Sequence, residues 1–211
     1  MSDSERSEKT INTRRQYYGD GPPIEPIRIM LEVFPDIGVM TDEYLLGDIM
    51  SRPGLSMRER SMIIIATLLM IRFEGARGHM NRALNVGISR EEVIEIILQV
   101  APYGDWPVGN EIFSLIELAY PGYLQTVKEN PFSNAWSHPE LSLRERTMVT
   151  MACLIARRFS DRLKAHMRWA LNIGLSREEI LEVIMQVTPF SGWPVGIEAI
   201  RVAKDVFSTK E

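Results

Sequence analysis

Apolar residues recur at spacings of three and four along most of this chain, as they do on the buried face of an amphipathic helix. In the run from Met62 to Ile71 the repeating positions are Met62, Ile63, Ala66, Leu69 and Met70. Wound on a helix, these positions form one broad apolar stripe. No stretch of the chain shows the strict alternation of a half-buried strand. We therefore predict an essentially all-α fold.

Four capping boxes mark where helices begin. In this Ser-x-x-Glu motif the serine hydroxyl accepts a hydrogen bond from a helix N–H group, and the glutamate reaches back to the serine. The four pairs are Ser56–Glu59, Ser89–Glu92, Ser142–Glu145 and Ser176–Glu179. The helices before the second and fourth boxes are expected to end at Gly87 and Gly174, because glycine adopts the left-handed conformation without a Cβ penalty.

Proline residues predict the remaining helix boundaries. Pro102 and Pro189 are expected to end the third helix of each set, because a proline disfavours helical geometry in the residue before it. A fourth helix is expected shortly after each of them, with Pro107 or Pro194 in its first turn, where a proline is well tolerated.

The same motifs occur twice in the same order, which identifies the chain as a tandem repeat. Most of the residues that follow His79 return 87 positions later, after His166. Repeated pairs include Asn85/Asn172, Glu95/Glu182, Gln99/Gln186, Trp106/Trp193 and Glu111/Glu198. Upstream, Leu55–Arg60 returns as Leu141–Arg146 with an offset of 86. Two copies of a long unit favour a closed pseudo-twofold pair over an open solenoid, which needs several stacked repeats.

The repeats predict how the chain is divided. Residues 1–12 are polar and are expected to form a flexible tail. The first repeat is assigned to residues 13–119, a linker rich in Pro, Gly and Asn to residues 120–140, and the second repeat to residues 141–211. The expected fold is two fused, pseudo-symmetric helical repeats packed closely together.

Composition argues against several classes of function. The net charge is −4 and the basic residues are dispersed, which argues against nucleic-acid binding. The run Met62–Ile71 is far shorter than the roughly 20 residues that span a bilayer, and the N-terminus is polar, so we expect no membrane insertion and a cytoplasmic protein. Cys153 is the single cysteine, which excludes an intrachain disulfide and a CxxC pair. The three histidines lack metal-binding spacing, so no metal is expected, and the sequence has no phosphate loop or Rossmann fingerprint, so no nucleotide cofactor is expected.

The motifs in each copy resemble those of a known family. His-Met-x-x-Ala-Leu-Asn-x-Gly is followed by Ser-Arg-Glu-Glu, a Gln-Val turn and Trp-Pro, and Leu46–Leu55 lies upstream of the first copy. This order and spacing resembles the carboxymuconolactone decarboxylase family, which has the alkylhydroperoxidase-like fold. The resemblance covers nearly the whole chain. It implies a helical, oligomeric protein and cofactor-free decarboxylation of a carboxylated lactone or a related acid.

Peroxidase relatives of that family rely on a CxxC pair a few residues before the histidine. Neither copy has a cysteine at that place, and Cys153 lies 13 positions before His166 in an apolar stretch. We interpret Cys153 as a buried core residue rather than a reactive thiolate. Thiol peroxidase activity is therefore not expected.

The two repeated histidines are the main catalytic candidates, because the pKa of imidazole lies near neutrality and suits proton transfer. Basic residues that could hold a substrate carboxylate lie nearby in sequence: Arg72, Arg158, Arg162 and Arg168. The family often has an arginine two places after the histidine, and the second copy keeps it as His166-x-Arg168. We expect His166 to be the principal site, with His79 serving a diverged site or completing a shared one. The alternative is a solvated basic face with histidines that pack against a neighbouring helix.

Two further repeated pairs are candidates for the site. Glu111 and Glu198 are expected to orient an imidazole or to act as acid/base groups; the alternative is that they stabilise the positive end of a helix. Trp106 and Trp193 are expected to wall a substrate pocket; the alternative is a packing role at a helix start.

The favoured hypothesis is a cofactor-independent lyase that decarboxylates a small anionic, cyclic or conjugated carboxylic acid. One alternative is a non-catalytic binding or assembly protein, because the copies differ at positions such as Arg82/Trp169. Another is a thiol-independent oxidoreductase that uses the same pocket.

Single-repeat relatives resemble ring-like oligomers, so a chain with two repeats predicts a homotrimer with six repeats. Apolar residues left outside the first helical stripe favour the same assembly, since a helix that is apolar on most sides must be covered on most sides. These residues are Ile64, Ile65, Leu68 and Ile71.

Overall fold

A computed structural model describes residues 3–20, 25–72, 75–104 and 138–208, together with residues 114, 116–117, 121–122 and 136. Every regular element in these ranges is a helix. The prediction of an all-α fold is therefore confirmed. None of the described helices is both long and apolar enough to cross a bilayer.

Three helices and a π-helical segment precede the first capping box. They are α1 (Asp3–Tyr18), α2 (Glu25–Val33), α3 (Pro35–Asp42) and the π-helical segment Glu43–Met50. The first repeat continues with α4 (Met57–Met70), α5 (Ala76–Ala83) and α6 (Arg90–Val100), with short 3-10 turns at Leu84–Val86 and Ala101–Tyr103. The second repeat contains α7 (Leu143–Ala156), α8 (Ser160–Asn172), α9 (Arg177–Ser191) and α10 (Trp193–Ser208).

Helix α1 occupies most of the segment that we expected to be a flexible tail. Its buried residues Thr10, Thr13 and Tyr17 are spaced by three and four, and they form one face that packs against the π-helical segment and the turn after α5. Arg14 pairs with Asp42. Residues 1–12 are mostly polar, so their composition did not predict this narrow packing face.

The expected helix signals operate at most boundaries. All four capping boxes form, and Gly87 and Gly174 have φ angles of 78° and 94° after their helices. Helix α6 ends at Val100, before Pro102, as predicted. The prediction was wrong for Pro189, because α9 continues through it to Ser191. A proline in the last turn removes only one backbone hydrogen bond, and Gly192 N–H closes the turn on Thr188 O at 2.8 Å.

Helices α4 and α7 form the centre of the molecule and lie against each other. Helix α9 of the second repeat packs on α4, and α6 of the first repeat packs on α7. Consequently every residue from Arg60 to Met70 is buried. Ile64, Ile65 and Leu68 are thus covered within one chain, so our use of them as an argument for a trimer was wrong.

Candidate functional site

Reciprocal ion pairs join the two repeats at the starts of α4 and α7. Arg58 Nε lies 3.0 Å from Glu145 Oε1, and Arg144 Nε lies 2.9 Å from Glu59 Oε1. Each arginine also bonds the capping glutamate of its own third helix, Glu92 or Glu179. Each capping glutamate of α4 and α7 therefore stabilises its helix start and also contacts the opposite repeat.

Two buried arginines extend this contact into the core. Arg60 and Arg146 are 0% and 1% exposed, and each forms an ion pair with the opposite repeat. Arg60 Nη2 lies 2.8 Å from Glu182 Oε2, and Arg60 Nη1 donates to Gln186 at 3.1 Å. A buried charge requires such a partner, so the pairs fix how the repeats meet.

In the equivalent cluster the arginine comes from the second repeat and the carboxylate from the first. Arg146 Nη1 lies 2.6 Å from Glu95 Oε1 and 3.1 Å from Gln99 Oε1. Sequence reasoning missed the role of Glu95, Gln99, Glu182 and Gln186. The available signal was their exact repetition, 87 positions apart, among apolar residues.

The two clusters differ in the second residue that holds the glutamate. Glu182 is also held by Arg52, whose equivalent beside Glu95 is His138, with Nδ1 2.9 Å from Glu95 Oε2. Ligand atoms of Glu95, His138 and Glu140 lie within 4.8 Å of one another. The Arg146 guanidinium already neutralises Glu95 and would repel a cation there. We assign this group to the structural ion-pair cluster.

His166 lies on α8 at the edge of a cavity of about 450 Å³. Its Nδ1 is 2.9 Å from the Arg162 carbonyl oxygen, which can only accept, so Nδ1 carries a proton. Nε2 is thereby left as the ring nitrogen available to a ligand. The cavity is lined by Trp136, Ala165, His166 and Trp169.

His79 lies on α5 in a more buried environment. Its Nδ1 is 2.8 Å from the hydroxyl of Tyr17, which is fully buried. Burial raises the pKa of Tyr17, so the phenol keeps its proton and can either donate to Nδ1 or accept from it. Burial, together with the nearby Arg82 charge, lowers the pKa of His79 to about 3. His79 is therefore a neutral imidazole.

Each histidine receives an aromatic side chain from the opposite repeat. The Tyr103 ring lies edge-on to His166, with centroids 6.3 Å apart, and Phe190 lies edge-on to His79 at 6.2 Å. Tyr103 and Phe190 are equivalent residues, 87 positions apart. Both histidine sites are therefore composite, since each draws side chains from both repeats.

Sequence reasoning missed Tyr17, Tyr103, Trp136 and Phe190. A signal existed for Tyr103 and Phe190, because an aromatic residue follows the repeated proline in both copies. Tyr17 and Trp136 lie in segments that the repeat does not cover, and only the folded chain brings them beside the histidines.

Glu198 has other partners than the imidazole we expected. In the described part of the chain it accepts hydrogen bonds from Ser160 Oγ at 2.7 Å and Arg158 Nε at 2.8 Å. The hydroxyl of Ser160 and then the Arg158 guanidinium lower the pKa of Glu198. Glu198, which lies on α10, thus remains a carboxylate bonded to Ser160, the first residue of α8.

The other predicted site residues lie at several different places. Arg162 and Arg168 are exposed on α8, and the Arg162 guanidinium lies over the Phe159 ring. Arg72 and Arg158 end α4 and α7 with positive φ angles of 56° and 58°. Trp193 is 63% exposed at the start of α10 and is not among the residues that line the His166 cavity. Glu111 and Trp106 lie outside the described residues.

Cys153 is fully buried in α7, as the sequence predicted. Burial raises the pKa of its thiol, which keeps the sulfur protonated and unreactive.

Comparison with known proteins supports the resemblance seen in the motifs. The sequence profile of the carboxymuconolactone decarboxylase family matches residues 35–117 and again residues 121–205. A 4-carboxymuconolactone decarboxylase of Acinetobacter baylyi is 33% identical over 76 residues, which cover 36% of this chain and 57% of that protein.

A nitrosuccinic acid decarboxylase of Metarhizium robertsii is 27% identical over 97 residues, which cover 46% of this chain and 67% of that protein. The chain thus spans little more than half of the first relative and about two thirds of the second. The two profile matches account for most of the sequence, and the chain belongs to the carboxymuconolactone decarboxylase family.

Proposed function

We propose that this protein is a cofactor-independent decarboxylase of a small anionic, conjugated carboxylic acid, with His166 as the proton-transfer residue. The observation that carries the proposal is the state of the His166 ring. Arg162 O fixes its Nδ1 proton, and the ring lines a cavity. Nε2 can therefore exchange a proton with a bound substrate. Both relatives are named as decarboxylases, which supports the same reaction class.

The proposed reaction needs an electron acceptor within the substrate. The bond between the carboxylate carbon and the neighbouring carbon breaks, CO₂ leaves, and both bonding electrons pass into the conjugated system. Protonated His166 then donates its Nε2 proton to the carbon that lost the carboxylate. The neutral ring keeps its Nδ1 proton, and water restores the proton on Nε2.

Arg162 and Arg168 are the proposed binding residues for the substrate anion. Both are exposed on the helix that carries His166, and no carboxylate of the described residues lies within ion-pair distance of either. Two neighbouring cations are already neutralised, because Arg158 pairs with Glu198 and Lys164 with Asp205. Arg72 and Arg158, the other predicted binding residues, follow the central helices with positive φ angles.

His79 is unsuited to the role of proton donor. Its pKa of about 3 keeps the ring neutral throughout the physiological range. We propose that it belongs to a diverged site, in which the neutral ring can form hydrogen bonds but cannot supply a proton to carbon.

Carbon dioxide release from a panel of acids tests the proposed function. The panel contains carboxylated lactones, β-keto acids and conjugated ring acids, and the reaction is run in D₂O. We expect CO₂ release with one deuterium at the carbon that lost the carboxylate, and loss of turnover in the His79→Ala/His166→Ala double variant. Unchanged turnover in that variant would contradict the role of histidine. Binding of an acid without CO₂ release would favour a non-catalytic binding protein.

A further inference from the structure

The His166 cavity has aromatic walls, and from these we infer that it selects acids with a flat conjugated or aromatic ring that stacks on Trp136 and Trp169. This inference rests on the proposed function and specifies its substrate class. It concerns the shape of the substrate ring rather than the reaction that follows.

The two tryptophans expose part of their ring surface at the cavity. Trp136 is 42% exposed and Trp169 is 45% exposed, and both line the same space as His166. The Trp136 and His166 ring centroids are 6.3 Å apart with a tilt of 36°. A flat ligand ring that entered here would cover indole surface and reach the imidazole at the same time.

The first repeat shows the contrast. Arg82 replaces Trp169 at the equivalent position, 87 residues earlier. The Arg82 guanidinium lies 4.7 Å from the centroid of the Tyr18 ring, so a cation already covers that aromatic face. The open aromatic surface is therefore a specific feature of the second site.

Charge indicates that the ligand is an anion. Aromatic surfaces also bind organic cations, but Arg162 lies one turn before His166 on α8 and therefore on the same helix face. Burial raises the pKa of Tyr103, and the Arg162 charge opposes that rise, which places the guanidinium near the ring that packs on His166. A cationic ligand would be repelled by this arginine. The cavity of about 450 Å³ lies within the usual range for small-molecule sites, about 300–1,000 Å³.

Binding calorimetry with two acids of the same carbon skeleton tests the inference. Naphthalene-2-carboxylate is flat and aromatic, and decahydronaphthalene-2-carboxylate is its saturated counterpart. One aromatic stacking contact corresponds to about a two- to tenfold change in Kd. With two tryptophans, we expect the flat acid to bind about tenfold or more tightly than the saturated acid.

Three leucine variants test whether the preference for the flat acid depends on the two cavity tryptophans. Trp136→Leu and Trp169→Leu should each reduce the preference about two- to tenfold, whereas Trp193→Leu is the control outside the cavity and should leave it unchanged. Trp136→Phe and Trp169→Phe keep a ring and should retain most of the preference, which separates stacking from misfolding. Equal affinity for the two acids, or absence of binding by both, would overturn the inference. It would also be overturned if Trp193→Leu reduced the preference for the flat acid as much as Trp136→Leu and Trp169→Leu do.

The outcomes also separate this inference from the proposed function. A preference for the flat acid without CO₂ release from any substrate would remove the decarboxylase assignment alone. Release of CO₂ from saturated and aromatic ring acids with equal kcat/KM would remove the stacking inference alone.

Discussion

The two repeated histidines differ in what holds their rings. Nδ1 of His79 is hydrogen-bonded to the Tyr17 hydroxyl, whereas Nδ1 of His166 donates to a backbone carbonyl. His166 lines a cavity, whereas His79 is packed against the Tyr17 and Phe190 rings. Sequence reasoning ranked His166 first because of Arg168, but the structure separates the histidines by residues that lie outside the repeated motifs.

Stability should depend on pH through His79. The folded-state pKa of about 3 lies below the ordinary histidine value of 6.5, so the unfolded chain binds the extra proton first as pH falls. Burying neutral His79 carries no penalty above pH 6.5, and the penalty grows as pH falls toward 3. Between pH 6.5 and pH 5 we expect a loss of about 2 kcal/mol in the free energy of unfolding.

Urea denaturation of wild type and His79→Gln measures this effect. Glutamine cannot titrate, so the variant should lose less stability over the same interval. If the free energies of unfolding of the two proteins differ by a constant amount from pH 7 to pH 5, the difference reflects packing alone. That result would contradict the lowered pKa of His79.

Glu182 should be important for stability because it neutralises the buried Arg60. Replacing it by glutamine keeps the size of the side chain and removes the charge. We expect Glu182→Gln to lower the free energy of unfolding by about 3–5 kcal/mol, because it leaves a buried guanidinium uncompensated. Glu178→Gln, on the exposed face of the same helix, is the matched control and should change it by less than about 0.5 kcal/mol. Equal effects in urea denaturation would show that the buried charge is not balanced by Glu182.

At the level of helices, the sequence predicted where helices begin better than where they end. The capping boxes contain their own chemistry within four residues, so Ser56, Ser89, Ser142 and Ser176 were recognisable. The ends of α4 and α7 were not, because Arg72 and Arg158 take a left-handed conformation that usually favours glycine. Tertiary contacts override local preference there, as the Arg158–Glu198 pair illustrates.

Helices α9 and α10 approach each other closely at Gly196. A Cβ at this position would lie 2.9 Å from Thr188 Cγ2 and closer still to the hydroxyl oxygen. Thr188 cannot easily move, because its hydroxyl donates to Ile184 O at 2.7 Å. We expect Gly196→Ala to lower the free energy of unfolding by about 1–2 kcal/mol, after the higher helix propensity of alanine is included.

Gly78 provides the control for this substitution. It lies within α5, and a Cβ there would meet only the flexible end of Arg82, at 3.1 Å. Gly78→Ala should therefore be neutral or raise the free energy of unfolding by up to about 1 kcal/mol. If both variants change thermal and urea stability in the same direction, close packing at Gly196 is not the cause.

For the whole molecule, the repeat was visible in the sequence but the exchange of partners was not. The offset of 87 identifies equivalent residues, yet it cannot show which repeat supplies the neighbour of a given side chain. The structure shows that Glu182 crosses to Arg60, Glu95 to Arg146, and Tyr103 to His166. Each repeat therefore completes the core and the site of the other.

We propose that the chain assembles further into a homotrimer. Ile64, Ile65 and Leu68 are buried within one chain and so give no support to assembly. Another apolar surface does support it. Trp193, Ile197 and Ile200 are exposed at helical spacing along α10, and such a stripe needs a cover. Light scattering should give about three times the mass of the 24.1 kDa chain. Charged substitutions at Ile197 and Ile200 should shift the protein toward the monomer. A wild-type mass near that of one chain, stable on dilution, would contradict the trimer.

The most direct test compares the two histidines in turnover of a substrate found by the CO₂ screen. His166→Asn should lower kcat by about 10²- to 10⁴-fold, because it removes the proposed proton donor. His79→Gln should change kcat by less than about tenfold, because the ring it replaces is neutral. A large loss in His79→Gln together with near-normal turnover in His166→Asn would contradict the assignment of catalysis to the His166 site.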